Sequence, residues 1–245
     1  MRLQLADGAS LSYECAGDPA HPCVLLWHGA QCTLRQWDTV VPQLQDAFYV
    51  VRFDVRGAGQ STGADPANYR FETYAADACT LLDHLHVQCC HVWGMAWGSR
   101  AALLFCAMHP ERTISAALFD LSIGTADPHA QQEGARAARA KLRAKGYEPP
   151  PLPEGWNTHE DDKTLALSLA AAAQVDLAEF SPRLTMPVLV ATGDHDPNLR
   201  SSRDAVGLMP QASLVELTDI GHGSVLMHPD LCLATWRQFV RDLGA

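Results

Sequence analysis

The segment Gly94-Met95-Ala96-Trp97-Gly98 decides the fold of this chain. It follows the apolar run 90–93 and opens a helical segment that continues to residue 108. Glycines on both sides of the centre allow a strand to turn sharply into a helix, because a Cβ there would clash with the closely approaching backbone. The central residue of such a turn carries backbone strain of about 1–3 kcal/mol and exposes its side chain at the top of the sheet. That position suits a nucleophile, but Ala96 has no atom that can attack.

Short apolar runs alternate with helical stretches along the chain, which is typical of parallel strands joined by crossover helices. The pattern predicts an α/β protein with a mostly parallel, twisted, eight-stranded sheet and helices on both faces. The predicted strands are residues 3–5, 11–15, 23–27, 49–53, 90–93, 115–121, 187–192 and 213–217. The predicted helices of this part are residues 34–45, 71–85, 97–108 and 224–243.

Between residues 125 and 182 no strand-like run occurs, and two Ala-rich helices at 127–145 and 164–173 flank a proline-rich link. The sequence therefore predicts a core domain of residues 1–124 and 183–245, with residues 125–182 inserted as a small helical cap. The first cap helix carries five basic residues: Arg136, Arg139, Lys141, Arg143 and Lys145. They form either a solvated outer face or a cationic lip that attracts carboxylate substrates.

Two motifs in the first half carry a family resemblance. His28-Gly29 follows the third predicted strand, and Asp54-Val-Arg56-Gly57-Ala-Gly59-Gln-Ser61 follows the fourth. Together with the turn around Ala96 they resemble the α/β-hydrolase family over nearly the whole chain. The resemblance implies an α/β-hydrolase fold in which the backbone N–H groups of Ala30 and Trp97 form an oxyanion hole. The loop that begins at Asp54 is structural in that family, so we expect no catalytic role for it.

Two motifs in the second half complete the pattern. Asp196 follows a strand in Gly193-Asp-His-Asp196, and His222 follows the last strand in Gly221-His222. The resemblance makes His222 the general base and Asp196 the acid that orients it. The turn Gly94–Gly98, here called the elbow, comes first in the chain, then the acid and then the histidine, which is the order in these hydrolases. Asp120 and Asp194 are alternative positions for the acid.

The residue that Ala96 replaces is open at this stage. Trp97 after the elbow resembles haloalkane dehalogenases and epoxide hydrolases, in which an Asp nucleophile precedes Trp. Their oxyanion turn usually carries a proline that residues 28–32 lack, and residues 28–59 resemble enol-lactonases and small carboxylesterases more closely. The resemblance implies a serine-type hydrolase of carboxylic esters or lactones that is inactive or severely impaired. Either a deliberate Ser→Ala replacement or a natural loss would produce it, and a natural ligand-binding pseudohydrolase is the alternative.

Substrate contacts are expected from Met95, Trp156 and Cys32, with Trp156 equally suited to packing. Cys32 is a poor substitute nucleophile because a competent thiolate must lie within hydrogen-bond reach of the base. Ser99 should point into the fold.

Composition excludes several classes of function. The net charge of -10 argues against nucleic-acid binding, and no apolar run approaches the length of a membrane span. The first residues lack the apolar core of a signal peptide, so we expect a cytoplasmic protein with reduced thiols at its eight cysteines. We expect no metal and no cofactor, a small-molecule ester or lactone as the only ligand, and a monomer or homodimer.

Overall fold

A computed structural model describes residues 1–244, which form one eight-stranded sheet. The strands are β1 (Arg2–Gln4), β2 (Ser10–Ala16), β3 (Cys23–Trp27), β4 (Tyr49–Phe53), β5 (Cys90–Met95), β6 (Thr113–Phe119), β7 (Val188–Gly193) and β8 (Ala212–Leu217). Their order in the sheet is β1-β2-β4-β3-β5-β6-β7-β8. β2 pairs antiparallel with β1 and β4, and all other pairs are parallel. The predicted α/β fold and strand count are confirmed.

Both faces of the sheet are covered, as the continuous apolar strands require. Every residue of β3, β4 and β5 is buried. Side chains of a strand alternate between faces, so Leu25 of β3 joins the apolar layer under α2 (Phe71–His84) and α3 (Trp97–Met108). Its neighbour Leu26 joins the opposite layer, under α1 (Val41–Leu44) and α9 (Pro229–Asp242).

Two predicted helices are interrupted in the structure. Residues 34–45 form a 3₁₀ turn at Leu34–Trp37 and then α1, because Thr33 caps the first piece and Pro42, which has no N–H, opens the second. The last helix divides into α8 (Ser224–Met227) and α9, with the break at His228-Pro229. A further helix, α7 (Leu199–Leu208), was not predicted.

The chain between β6 and β7 is helical, as predicted. It forms α4 (Pro128–Ala144), α5 (Asp162–Ala170) and α6 (Leu177–Phe180), the last of which was not predicted. Each helix begins after an aspartate whose carboxylate accepts a backbone N–H of the first turn: Asp127, Asp161 and Asp176. The boundaries 125–182 of a separate cap stay a prediction.

None of the helices within residues 1–244 combines the length and apolarity that crossing a membrane would take. All eight cysteines are free thiols in the structure.

Candidate active site

The turn around Ala96 is a strained, tightly packed elbow between β5 and α3. Ala96 has φ 54° and ψ −114°, a conformation that L-residues rarely adopt, and its N–H donates to the carbonyl of Phe119 over 2.8 Å. A Cβ on Gly94 would lie 2.8 Å from the backbone nitrogen of Ser99, and one on Gly98 would overlap the carbonyl oxygen of His28. Both glycines are therefore needed for the turn, as the sequence indicated.

His222 and Asp196 come together from different strand ends. Asp196 follows β7 and is buried, and its Oδ2 lies 2.9 Å from Nδ1 of His222, which follows β8. The other carboxylate oxygen of Asp196 accepts the N–H of Asn198 over 2.9 Å. Burial lowers the pKa of His222, but the hydrogen bond to Asp196 and the charges of Asp196 and Asp120 outweigh it, so the pKa is raised overall. The pair holds the imidazole in one orientation.

Asp120, the first alternative acid, accepts hydrogen bonds from the loop that follows His222. It is fully buried after β6 with φ 54°, and its Oδ2 accepts the N–H groups of Gly223 and Ser224 over 3.0 and 2.8 Å. Its Oδ1 has no partner within residues 1–244. Burial and the charge of Asp196 raise its pKa to about 7. Asp194, the second alternative, is exposed.

A cavity of about 530 Å³, here named the elbow cavity, lies over the elbow. Ala30, Ala96, Trp97, Trp156 and His222 all border it. Within residues 1–244, the backbone N–H groups of Ala30 and Trp97 donate to no acceptor. One lies in a turn and the other at the N-terminus of α3, where free donors and the helix dipole favour negative charge. The cavity is within the size range of small-molecule sites.

Two expected substrate contacts lie outside the elbow cavity. Cys32 is buried in the apolar layer beside α1, and burial raises the pKa of its thiol to about 12. Met95 is also buried, and its methyl group packs where a Cβ on Gly29 would lie. Ser99 points into the fold, as expected, and its hydroxyl donates to the carbonyl of Phe119 over 2.7 Å.

Within residues 1–244, two side-chain clusters have the spacing of a metal site, and at least one donor atom of each is already hydrogen-bonded or ion-paired. Asp120, Asp196 and His222 bring ligand atoms within 4.8 Å of one another, yet Nδ1 of His222 is hydrogen-bonded to Asp196. Asp194, His195 and Asp219 form the second cluster, in which the Asp219 carboxylate pairs with Lys145.

Sequence reasoning missed Arg100, which also borders the elbow cavity. Its N–H donates to the carbonyl of Ala96 over 3.3 Å, which places it one helical turn beyond the elbow residue. The i,i+4 spacing from Ala96 on a predicted helix was the signal that could have identified it.

Comparisons with known proteins identify the family of this chain. Residues 22–147, just over half of the chain, match the family described as alpha/beta hydrolase fold. The chain belongs to this family.

Individual relatives and solved structures show which members of the family this chain resembles. The chain is 33% identical to a fluoroacetate dehalogenase of a Burkholderia species over 48% of its own length. It is 36% identical to rhodomycin D methylesterase of Streptomyces peucetius over 46%. In both cases the match spans only 40% of the relative. It is 26% identical to 3-oxoadipate enol-lactonase 2 of Acinetobacter baylyi over 78% of each chain. The crystal structure of the enol-lactonase from Burkholderia xenovorans superimposes with a TM-score of 0.81, 25% identity and coverage of 96% of this chain and 98% of that one. The predicted likeness to enol-lactonases is confirmed.

Proposed function

We propose that this protein is a hydrolase of carboxylic esters or lactones in which Ala96 occupies the place of the catalytic nucleophile. The observation that carries the proposal is the position of His222, held by Asp196, on the same cavity as Ala96 and two unpaired backbone amides. The esterase and enol-lactonase relatives support this substrate class. Residues 125–182 would act as the cap over the bound substrate.

With Ser at position 96, the site has every part of an acyl-transfer mechanism. His222 would take the hydroxyl proton while Asp196 keeps Nδ1 protonated and stabilises the imidazolium. The oxygen would attack the carbonyl carbon, and the amides of Ala30 and Trp97 would bind the resulting oxyanion. The tetrahedral intermediate would collapse by breaking the bond between the carbonyl carbon and the leaving oxygen, to which His222 would give its proton, and the acyl group would stay on the serine oxygen. Water, deprotonated by His222, would then attack the acyl group, and the serine oxygen would leave and take back the proton.

With Ala96, that covalent route is closed. The oxyanion donors and substrate binding alone can leave a rate about 10³–10⁴-fold above that in water. A water molecule beside the Ala96 methyl group could be activated by His222 and attack the carbonyl directly. Slow hydrolysis by the native chain should therefore be lost in His222→Ala, and turnover that survives this change would rule the water route out.

The decisive experiment is Ala96→Ser, assayed against p-nitrophenyl esters and a panel of lactones. We expect kcat/KM to rise by about 10³-fold or more, since a serine nucleophile and its base act as one unit. Ala96→Gly is the matched control, because it changes the elbow without supplying a nucleophile. Adding His222→Ala to Ala96→Ser should remove the gain. A folded Ala96→Ser protein with no added hydrolysis of either class would contradict the proposal.

The missing nucleophile itself favours a second candidate, a non-catalytic ligand binder. Tight binding of an ester or lactone without hydrolysis by either the native or the Ala96→Ser chain would support it. The dehalogenase relative and Trp97 favour an Asp parent, for which Ala96→Asp should act on haloalkanes or epoxides.

A further inference from the structure

Arg100 is a half-buried cation with no ion-pair partner among residues 1–244. Its Nη2 donates to the carbonyl of Ala172 over 2.9 Å, while its Nε is buried and has no acceptor within residues 1–244. Burial lowers the pKa of the guanidinium. Asp176 borders a neighbouring cavity that Arg100 also lines, but no ion pair joins the two. A guanidinium left in this state is costly unless a ligand supplies the missing charge.

Arg139 is the second cation of the elbow cavity and differs from its neighbours on α4. The other basic residues of this helix and its C-terminus pair with carboxylates: Arg136 with Glu133, Lys141 and Lys145 with Asp219, and Arg143 with Glu148. Arg139 has no ion-pair partner within residues 1–244, and among these five it alone borders the cavity. Four of these five basic residues therefore contact a carboxylate, and the one without such a contact among residues 1–244 borders the elbow cavity.

The lining of the elbow cavity contains no carboxylate. Besides the two arginines and His222, its polar members are amides and a hydroxyl: Gln31, Ser122, Gln131, Gln132 and Asn198. A cavity with two cations and no acid is unusual in a chain whose formal net charge is -10. Such an arrangement attracts anions, and the planar guanidinium matches a carboxylate.

We infer that Arg100 and Arg139 form an anion subsite, and that the ligand of this protein is a small ester or lactone that also carries a free carboxylate. The inference rests on the proposed function for the ester or lactone group, and on the two arginines for the carboxylate. The carboxylate would lie toward Arg100, one helical turn from the elbow, while the reacting carbonyl faces Ala96 and His222.

The test uses two probes that differ in one charge, monomethyl glutarate and dimethyl glutarate, with binding to the native chain measured by calorimetry at pH 8. We expect the monoester to bind at least about tenfold tighter, since a charge-assisted hydrogen bond contributes that much. Arg100→Gln should remove most of this preference. Arg139→Gln should reduce it about two- to fivefold, because the residue is exposed. Arg136→Gln, on the same helix but outside the cavity, is the matched control and should change nothing.

Equal affinity for the two probes, binding of neither, or an equal effect of Arg136→Gln and Arg139→Gln would overturn the subsite. If Arg100→Gln fails to fold, the comparison of the exposed Arg139 and Arg136 variants decides alone. Kinetics of Ala96→Ser separate the two proposals. Hydrolysis of both esters without a preference for the monoester would overturn only the subsite, and charge-selective binding without hydrolysis would overturn only the proposed function.

Discussion

Two arginines, Arg56 in the loop after β4 and Arg100 on α3, differ in how far their hydrogen-bond donors are paired within the protein. Arg56, in the loop after β4, donates from Nε and Nη2 to Asp77 over 3.0 and 2.8 Å and from Nη1 to Asp7 over 2.5 Å. Among residues 1–244, the Arg100 side chain donates to a single acceptor, the backbone carbonyl of Ala172, and its Nε has no partner. The guanidinium of Arg56 therefore has carboxylate partners for three of its nitrogens, whereas that of Arg100 keeps an unpaired donor.

The same contrast extends to the surrounding backbone. In the loop after β4, Asp54 accepts the N–H groups of Leu34 and Gln60 over 2.7 and 3.0 Å. At the elbow cavity, the N–H groups of Ala30 and Trp97 are left without acceptors. The buried Nε of Arg100 and the N–H of the buried Trp97 have no acceptor among residues 1–244, and both residues border the elbow cavity, where a ligand would meet them. The saturated region holds the fold, and the incomplete region is where chemistry is expected.

The largest effect is expected from a substitution at the elbow cavity, and it is a loss of kcat. In the Ala96→Ser background, Asp196→Asn should lower kcat by about 10²–10⁴-fold, because an amide no longer holds Nδ1 of His222 protonated or stabilises the imidazolium. Asp194→Asn is the matched control, two residues away and exposed, and should have little effect. Steady-state kinetics on a p-nitrophenyl ester measure both. A similar loss in the two variants would show that Asp196 is not the acid.

The next largest effect is expected from a substitution beside Arg56, and it is a loss of stability. Asp77→Ala removes the main partner of Arg56, whose side chain is only 2% exposed, and should lower the free energy of unfolding by about 3–5 kcal/mol. Asp83→Ala, on the same helix but 68% exposed and paired with Arg112, should cost less than about 1 kcal/mol. Urea unfolding checks both values. Equal destabilisation by the two changes would contradict the assignment of Arg56 as a buried structural ion pair.

The smallest effect is expected from a substitution of Asp120, and it is a shift in the pH dependence of activity. Asp120 has one saturated carboxylate oxygen and one orphaned oxygen, and its charge helps to raise the pKa of His222. Hydrolysis needs neutral His222, so activity should rise with pH through the pKa of that group. Asp120→Asn removes a negative charge, which lowers the pKa of His222 and moves the rise to lower pH by less than about one pH unit.

The shape of that pH profile sharpens the prediction. Asp120 itself titrates at a pKa of about 7, so the native side chain should give a broad rise in which two ionisations overlap. With Asn at position 120, the profile of the Ala96→Ser enzyme should fit a single ionisation. An unchanged midpoint and width would show that Asp120 only supports the loop at Gly223 and Ser224.

The strands and the elbow could be predicted because continuous apolar runs and glycine spacing are local signals. β4 and α3 begin and end at the predicted residues, and the predicted pair His222 and Asp196 is hydrogen-bonded. The helix break between Trp37 and Val41 was missed although Pro42 was visible, because apolar periodicity continues through it.

Contacts that depend on packing could not be predicted in the same way. Cys32 lies two residues after Ala30, yet its side chain enters the apolar layer beside α1 instead of the cavity. Met95 precedes the elbow residue, but alternation along β5 turns it away, under Gly29. Strand alternation is a local pattern that could have excluded Met95, whereas the direction of the Cys32 side chain is set by neighbours distant in sequence.

The contact at Gly98 means that the backbone sets the distance between the N–H groups of Ala30 and Trp97. Because Gly98 has no side chain, α3 lies directly against the carbonyl groups of Trp27 and His28 at the end of β3. Gly98 follows Trp97 directly in the sequence, and His28 precedes Ala30 by two residues. This contact works as a spacer whose width is independent of the side chain at position 96. Serine, aspartate, cysteine or alanine placed there would meet the same pair of donors, so exchanging the reactive atom leaves the receptor for the developing charge intact.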